Sequence, residues 1–307
     1  MRSLTAVVLR GLLKTRMDRV NRAVLSAGAP EEQVAVYRRE LSIEIGKLVL
    51  GDYRVEDSLL GGRPATWIRH DSFPNDRATL FLHGGGYVGG SVYYSRNQAY
   101  DIAKAAGQEV VSLDYRLAPE NPFPAAVDDV LAAWRDLLGQ GYAPEMLTLA
   151  GFSAGGGLAL AATLAIRENG LPLPGAVVGL SPWCDLTMNQ ITVKANNGKD
   201  IMIPAEFLAL AAGLYANGQD RTNPLMSPLY GNLTGFPPLL LQVAAEELLL
   251  GEVIAFADKA DKSGVAVTLE IFDGMWHVWQ SLDEVVPEAR AAMERIGEFI
   301  CERGRRA

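Results

Sequence analysis

Ser153, the three histidines and a run of glycines are the residues of this chain whose types and spacing suit covalent chemistry. Ser153 stands in Gly151-Phe152-Ser153-Ala154-Gly155. A short apolar run with strand character, residues 146–150, precedes it, and an Ala/Leu-rich, proline-free segment of good helix formers follows. Strand, G-x-S-x-G and helix in succession form the context of a nucleophile elbow. That turn is so tight that the residues flanking the serine have to be small. The free amides and dipole of the following helix would favour negative charge developing beside Ser153.

A serine hydroxyl is a poor nucleophile until a neighbouring base takes its proton. His70 ends an early strand, His83 opens the glycine run, and His277 is the histidine that follows Ser153, in a loop after the strand expected at 265–272. Hydrolases built on this elbow keep the chain order serine, acid, histidine, which selects His277 as the base. The acid has to orient the imidazole and stabilise its cation. It should follow the strand expected at 238–244, which leaves Glu246 and Glu247; both also read as solvated carboxylates near a helix N-terminus. Asp185, after the preceding strand, is an outside candidate, and Asp258 and Asp261 fall within a helix and fit the role poorly. In His83-Gly84-Gly85-Gly86-Tyr87, consecutive glycines let backbone amides approach a substrate oxygen, and with the Ala154 amide they would bind a tetrahedral oxyanion. No phosphate-loop pattern surrounds that run.

These residues need a scaffold. Residues up to about 49 read as two helices separated at 26–30, the second carrying Val34, Tyr37, Leu41, Ile45 and Leu48 at helical spacing. Strands at 52–58 and 64–70 flank Gly61-Gly62, a hairpin signal. From residue 79 strands and helices alternate, which implies crossover connections and a mostly parallel sheet buried on both faces. The alternation lapses between 185 and 233, where an insertion would lie over the strand ends as a lid.

Composition narrows the partners. The chain has 307 residues, 49% hydrophobic and 21% charged, with a net charge of −8 and no basic stripe interleaved with aromatics, which argues against nucleic acid. Cys184 and Cys301 form neither a disulfide framework nor a Cys/His cluster, so no metal is expected. No stretch has the length to cross a bilayer. Near the N-terminus Leu4, Val7, Val8, Leu12 and Leu13 share a helical face ringed by basic residues. Arg10 interrupts what would be the core of a signal peptide, so the face is expected to pack on its own protein and the chain to be cytoplasmic.

Three motifs together, His83-Gly-Gly-Gly-Tyr-Val-Gly-Gly90, Asp114-Tyr-Arg-Leu-Ala-Pro-Glu120 and Gly151-x-Ser-Ala-Gly-Gly156, resemble those of the hormone-sensitive lipase family of carboxylesterases, the bacterial family IV group. The resemblance spans residue 79 to the C-terminus. It implies an α/β-hydrolase fold, a mostly parallel central sheet with helices on both faces, and a helical cap. Residues 1–50 would supply the N-terminal cap helices, and 51–307 the catalytic domain with a second cap segment inserted at about 186–222. The family's oxyanion donors map onto Gly84, Gly85 and Ala154, and its Met-x-His base onto His277 in Met275-Trp276-His277. Matching the leucines of its acid motif points to Glu247 in Glu246-Glu247-Leu-Leu-Leu250, with Glu246 still open. Phe152 stands where the family usually has Asp or Thr, a change read as altering the pocket or an interface. The Asp114–Glu120 motif reads as a polar brace for the elbow and oxyanion loops.

The implied function is a serine carboxylesterase with the triad Ser153, Glu247 and His277. It would act on short acyl esters without cofactor or metal, as a homodimer. The rivals are an amidase or lactone hydrolase with the same triad, and a ligand-binding protein on this fold. The second would lack the base, and His277 argues against it.

Overall fold

The computed structural model describes residues 2–41 and 52–303. Two helices come first, α1 (Leu4–Ser26) and α2 (Pro30–Leu41). The expected continuation of α2 through Ile45 and Leu48 lies outside the described residues. Strands β1 (Arg54–Leu60) and β2 (Arg63–Arg69) form an antiparallel hairpin. Its two turn residues, Gly61 and Gly62, both have positive φ, which glycine adopts without a Cβ penalty.

The alternating half follows as β3 (Ala78–Leu82), α3 (Arg96–Ala106), β4 (Glu109–Leu113), α4 (Ala125–Gly139), β5 (Leu147–Phe152), α5 (Ala154–Glu168) and β6 (Ala176–Leu180). After the insertion, which carries α6 (Ile191–Ala195) and α7 (Ala205–Ala216), come β7 (Leu239–Ala244), α8 (Leu250–Lys262), β8 (Val267–Phe272) and α9 (Pro287–Arg303). Among the described residues the sheet has the order β1-β2-β4-β3-β5-β6-β7-β8, parallel from β4 to β8. The central strands β3, β5, β6 and β7 are buried along their whole length, which is why they read as short apolar runs rather than alternating ones.

Side chains of one strand still divide between two cores. Leu80, Leu82, Leu147 and Leu149 join the core with residues of α4, α5 and α8, whereas Phe81, Ala150 and Phe152 join Ile102 of α3 and Met293 and Ile296 of α9. This places Phe152 in the sheet core, edge-on to Phe81 with 5.7 Å between ring centroids, and not at a pocket or interface as its sequence position suggests. Period-two alternation explains the difference: the residue before Ser153 points to the opposite face of the sheet.

The first helix also differs from its sequence reading. Leu4, Val7, Val8 and Leu12 are exposed, and the inward face consists of Ala6, Leu9, Leu13, Met17, Val20 and Val24. That stripe extends over about five turns, whereas the apolar cluster read from the sequence ends after about three. Arg10 lies on its edge and is satisfied by acceptors below it. The two N-terminal helices meet the insertion: Asn21 Nδ2 donates to the Met202 carbonyl at 3.3 Å, and the Tyr37 and Phe207 rings are 4.3 Å apart. No helix among the described residues is long and apolar enough to cross a membrane.

One buried carboxyl makes the stability of the scaffold depend on pH. Asp101 of α3 is 8% exposed, and burial, with Asp283 and Glu284 nearby, pushes its carboxyl up to about 8. The folded chain then holds a proton that the unfolded chain releases. Stability from this group therefore declines as pH rises from the ordinary carboxylate range to about 8. Asp101→Asn is expected to raise the melting temperature at pH 9 by several degrees and to change it little at pH 4, as differential scanning calorimetry would record.

Candidate active site

The strand-to-helix turn at Ser153 is tight. Ser153 has φ 55° and ψ −123°, a region that a non-glycine residue occupies only when its surroundings force it. They do so here through the backbone: Ser153 N–H donates to the Leu180 carbonyl at 2.9 Å, and its carbonyl accepts from Gly157 and Trp183, each at 3.0 Å. A Cβ on Gly151 would strike the Gly155 carbonyl, and one on Gly155 the carbonyls of Leu82 and His83. The serine is thereby held at the carboxyl end of β5 and the N-terminus of α5, where free amides favour an anion.

β5, β6, β7 and β8 are successive neighbours in the sheet. The loops leaving their carboxyl ends therefore bring Ser153, Ser181, Glu247 and His277 to one edge. Glu247 is fully buried. Its Oε2 takes the Nδ1–H of His277 at 2.6 Å, and its Oε1 accepts from the Ser181 hydroxyl at 2.8 Å and the Ala244 amide at 2.7 Å. A carboxylate on Nδ1 fixes the tautomer and leaves the Nε2 lone pair bare. That nitrogen is buried and has no hydrogen-bond partner among the described residues. The Ser153 hydroxyl is thus not hydrogen-bonded to it. Burial of His277 alone would lower its pKa. The Glu247 carboxylate, its hydrogen bond and Asp200 outweigh that and hold the imidazole above its ordinary value.

The other candidates lie elsewhere. Glu246 is quarter-exposed and ion-paired with Arg2 at 2.8 Å and with Arg10. Asp185 accepts from Thr187 and Gln190. Asp258 pairs with Lys262 at the surface. His70 bonds Ser72 and packs on Tyr53 and Phe73.

The glycine run lies against the serine: a Cβ on Gly84 would come 3.3 Å from the Ser153 Cβ. The amides of Gly84, Gly85 and Ala154 make no backbone hydrogen bond among the described residues. The loop is braced from the motif after β4. Tyr115 donates to the His83 carbonyl at 2.6 Å and stacks on its ring at 4.2 Å, and the Ala118 amide donates to the Tyr87 carbonyl at 2.9 Å. Arg38 of α2 adds bonds to the carbonyls of Val88 and Ala118 and pairs with Glu120. Burial lowers the pKa of His83 despite its bond to the Gly84 carbonyl and Asp114 nearby.

Sequence reasoning did not single out Ser181, which shares the Glu247 carboxylate with His277. Its signal is positional: a small polar residue directly after the strand beside the elbow. Together the arrangement supplies a hydroxyl at a helix N-terminus, an imidazole with one free nitrogen, a buried carboxylate on the other, and the amides of Gly84, Gly85 and Ala154.

The family model of the alpha/beta hydrolase fold matches residues 79–281. An acetyl-hydrolase of Streptomyces hygroscopicus is 44% identical over 241 residues, covering 78% of this chain and 80% of that protein. An ethyl acetate hydrolase of Pseudomonas putida is 34% identical over 231 residues, covering 73% and 72%. The crystal structure of an esterase from the bacterial hormone-sensitive lipase family superposes with a TM-score of 0.89 at 39% identity, over 99% of both chains.

Proposed function

Because the chain belongs to the alpha/beta hydrolase family, among the esterases of its bacterial hormone-sensitive lipase group, we propose that it is a serine carboxylesterase acting on short acyl chains. Ser153 attacks the ester carbonyl while Nε2 of His277 takes its proton. Glu247 stabilises the resulting imidazolium, and the amides of Gly84, Gly85 and Ala154 receive the oxyanion. His277 then delivers the proton to the leaving alcohol, and water releases the acyl group by the same steps.

The observation that carries this reading is the buried Glu247–His277 pair at 2.6 Å, with the opposite ring nitrogen unpartnered. Support for a short acyl chain comes from the relatives named acetyl-hydrolase and ethyl acetate hydrolase. Residues 1–50 and 186–222 serve as the cap, a reading supported by the contacts of α1 and α2 with the insertion. The substrate is a small ester, the assembly a homodimer and the compartment the cytoplasm. The outer edge of β8, unpaired among the described residues and with Ile271 exposed, offers a second copy a surface, and two free cysteines suit a reducing compartment.

Hydrolysis of p-nitrophenyl esters from acetate to palmitate tests the reading. Turnover is expected to peak at acetate or butyrate and to fall by at least an order of magnitude at long chains, roughly the loss expected when a few methylenes find no pocket. A peak at palmitate would overturn the short-chain assignment, and no turnover on any ester would overturn the esterase.

A further inference from the structure

The Glu247 side chain is held from the strand ends, but the backbone of its loop is held mostly by the insertion. Three backbone bonds do not involve the insertion: the Ala245 amide to the Phe272 carbonyl at 3.0 Å, the Glu247 amide to the Ala244 carbonyl at 3.2 Å, and the Leu250 amide to the Glu247 carbonyl at 3.4 Å. The insertion supplies five more, from three residues at four-residue intervals. Thr192 Oγ1 donates to the Leu248 carbonyl at 3.0 Å and accepts the Gly251 amide at 2.9 Å. The buried Asn196 Nδ2 donates to the carbonyls of both Ala245, at 3.1 Å, and Glu247, at 2.8 Å. Asp200 Oδ2 accepts the Leu248 amide at 3.1 Å, while Oδ1 accepts the amides of Met202 and Ile203.

Arg10 of α1 ties this arrangement to the histidine loop. Its guanidinium donates to the Met275 carbonyl at 3.1 Å, to the Lys199 carbonyl at 3.1 Å, and to Glu246. One side chain therefore touches the acid loop, the base loop and the insertion. Backbone carbonyls buried in a turn need such donors, and here the donors come from a separate segment of the chain.

We propose that Thr192, Asn196 and Asp200 are positioning residues for Glu247, so that docking of the insertion, stapled by Arg10, sets the alignment of the Glu247–His277 pair. The inference rests on the reading of that pair as acid and base. A misplacement of about 1 Å in such a pair costs on the order of 10²-fold in rate. Lifting the insertion would remove the side-chain donors to the carbonyls of Ala245, Glu247 and Leu248, leaving the Glu247 carbonyl only the Leu250 amide at 3.4 Å. Closure of the cap and arming of the acid are then one event.

Asn196→Ala and Thr192→Val test this, with Thr192→Ser as the conservative variant. None of these changes a charge, so Glu247, Asp200, Glu246, Arg2 and Arg10 still act on the acid and base loops as before. The first readout is the downfield proton NMR signal of the His277 Nδ1–H, assigned by its loss in His277→Ala. It needs no turnover and therefore judges the positioning separately from the esterase reading. The second is p-nitrophenyl acetate hydrolysis as a function of pH. In Asn196→Ala and Thr192→Val the signal is expected to broaden or vanish. Their kcat should fall roughly 10- to 100-fold with KM little changed, and the acidic limb of kcat/KM should move down towards an ordinary histidine. Thr192→Ser should restore all three. An intact signal with unchanged kcat and limb in the folded variants would overturn the proposal. If Asn196→Ala fails to fold by circular dichroism, the Thr192 pair decides.

Discussion

Ser153→Ala is expected to lower kcat for p-nitrophenyl acetate by roughly 10⁴- to 10⁶-fold, the range found when a triad nucleophile is removed and only binding and oxyanion donors remain. The loss should be in kcat, because the hydroxyl contributes to the covalent step and little to binding the acetyl ester. Mass spectrometry after brief exposure to substrate should find acyl adduct on the parent chain and none on the variant. Stability gives a second, opposite signal. Holding a serine at φ 55° and ψ −123° costs about 1–3 kcal/mol, a strain that glycine does not suffer. Ser153→Gly should therefore be as inactive as the alanine variant yet melt at a higher temperature than either. An active alanine variant would remove Ser153 from the chemistry altogether.

The elbow was readable because its parts are contiguous. A strand, five residues and a helix lie next to one another in the chain, and the crowding that demands Gly151 and Gly155 is local. His277 was readable by order and scarcity, since it follows the last sheet strand and the other two histidines precede the serine. β5 extends two residues further than its apolar run suggests, because the register with β6 continues through Gly151 and Phe152. The orientation of α1 was not readable from its first thirteen residues. It is set by what lies beneath, namely the Met275 and Lys199 carbonyls that Arg10 reaches and the Trp276 and Trp279 cluster that takes Ala6.

The holders of the acid loop left no local trace either. Asn196 and Thr192 bond backbone groups 49 to 59 residues further along, and nothing in a window around them announces such partners. Their identities do carry a weak signal. Asn, Thr and Asp are poor choices for a helix interior and good ones for satisfying irregular backbone. Arg10 and Glu246 belong to the same class. Arg10 looks out of place in its apolar segment and Glu246 reads as an ordinary surface carboxylate, yet each is the other's partner across the molecule.

Glu247→Gln is expected to reduce kcat by roughly 10³- to 10⁴-fold, and Glu246→Gln by less than about tenfold, as in triads where the acid is replaced by its amide. The two glutamates are adjacent and chemically identical, so the contrast isolates geometry. At Glu247 the carboxylate accepts three bonds, from His277 Nδ1, the Ser181 hydroxyl and the Ala244 amide. An amide has one oxygen. If that oxygen serves Ala244 and Ser181, the NH₂ faces Nδ1 and forces the proton to Nε2, the wrong tautomer for a base facing Ser153. Losing the carboxylate also removes the principal influence that raises the His277 pKa, while burial, which lowers it, remains. Any residual activity should then show an acidic limb at lower pH than the parent, because the ring needs a lower pH to gain its blocking proton. Glu246→Gln loses only the ion pairs to Arg2 and Arg10 at a partly exposed position, and its acidic limb should stay near that of the parent. The pH–rate profiles of both variants on p-nitrophenyl acetate decide the matter. A larger loss in Glu246→Gln, or an unmoved limb in Glu247→Gln, would mean that the acid of this site is not Glu247.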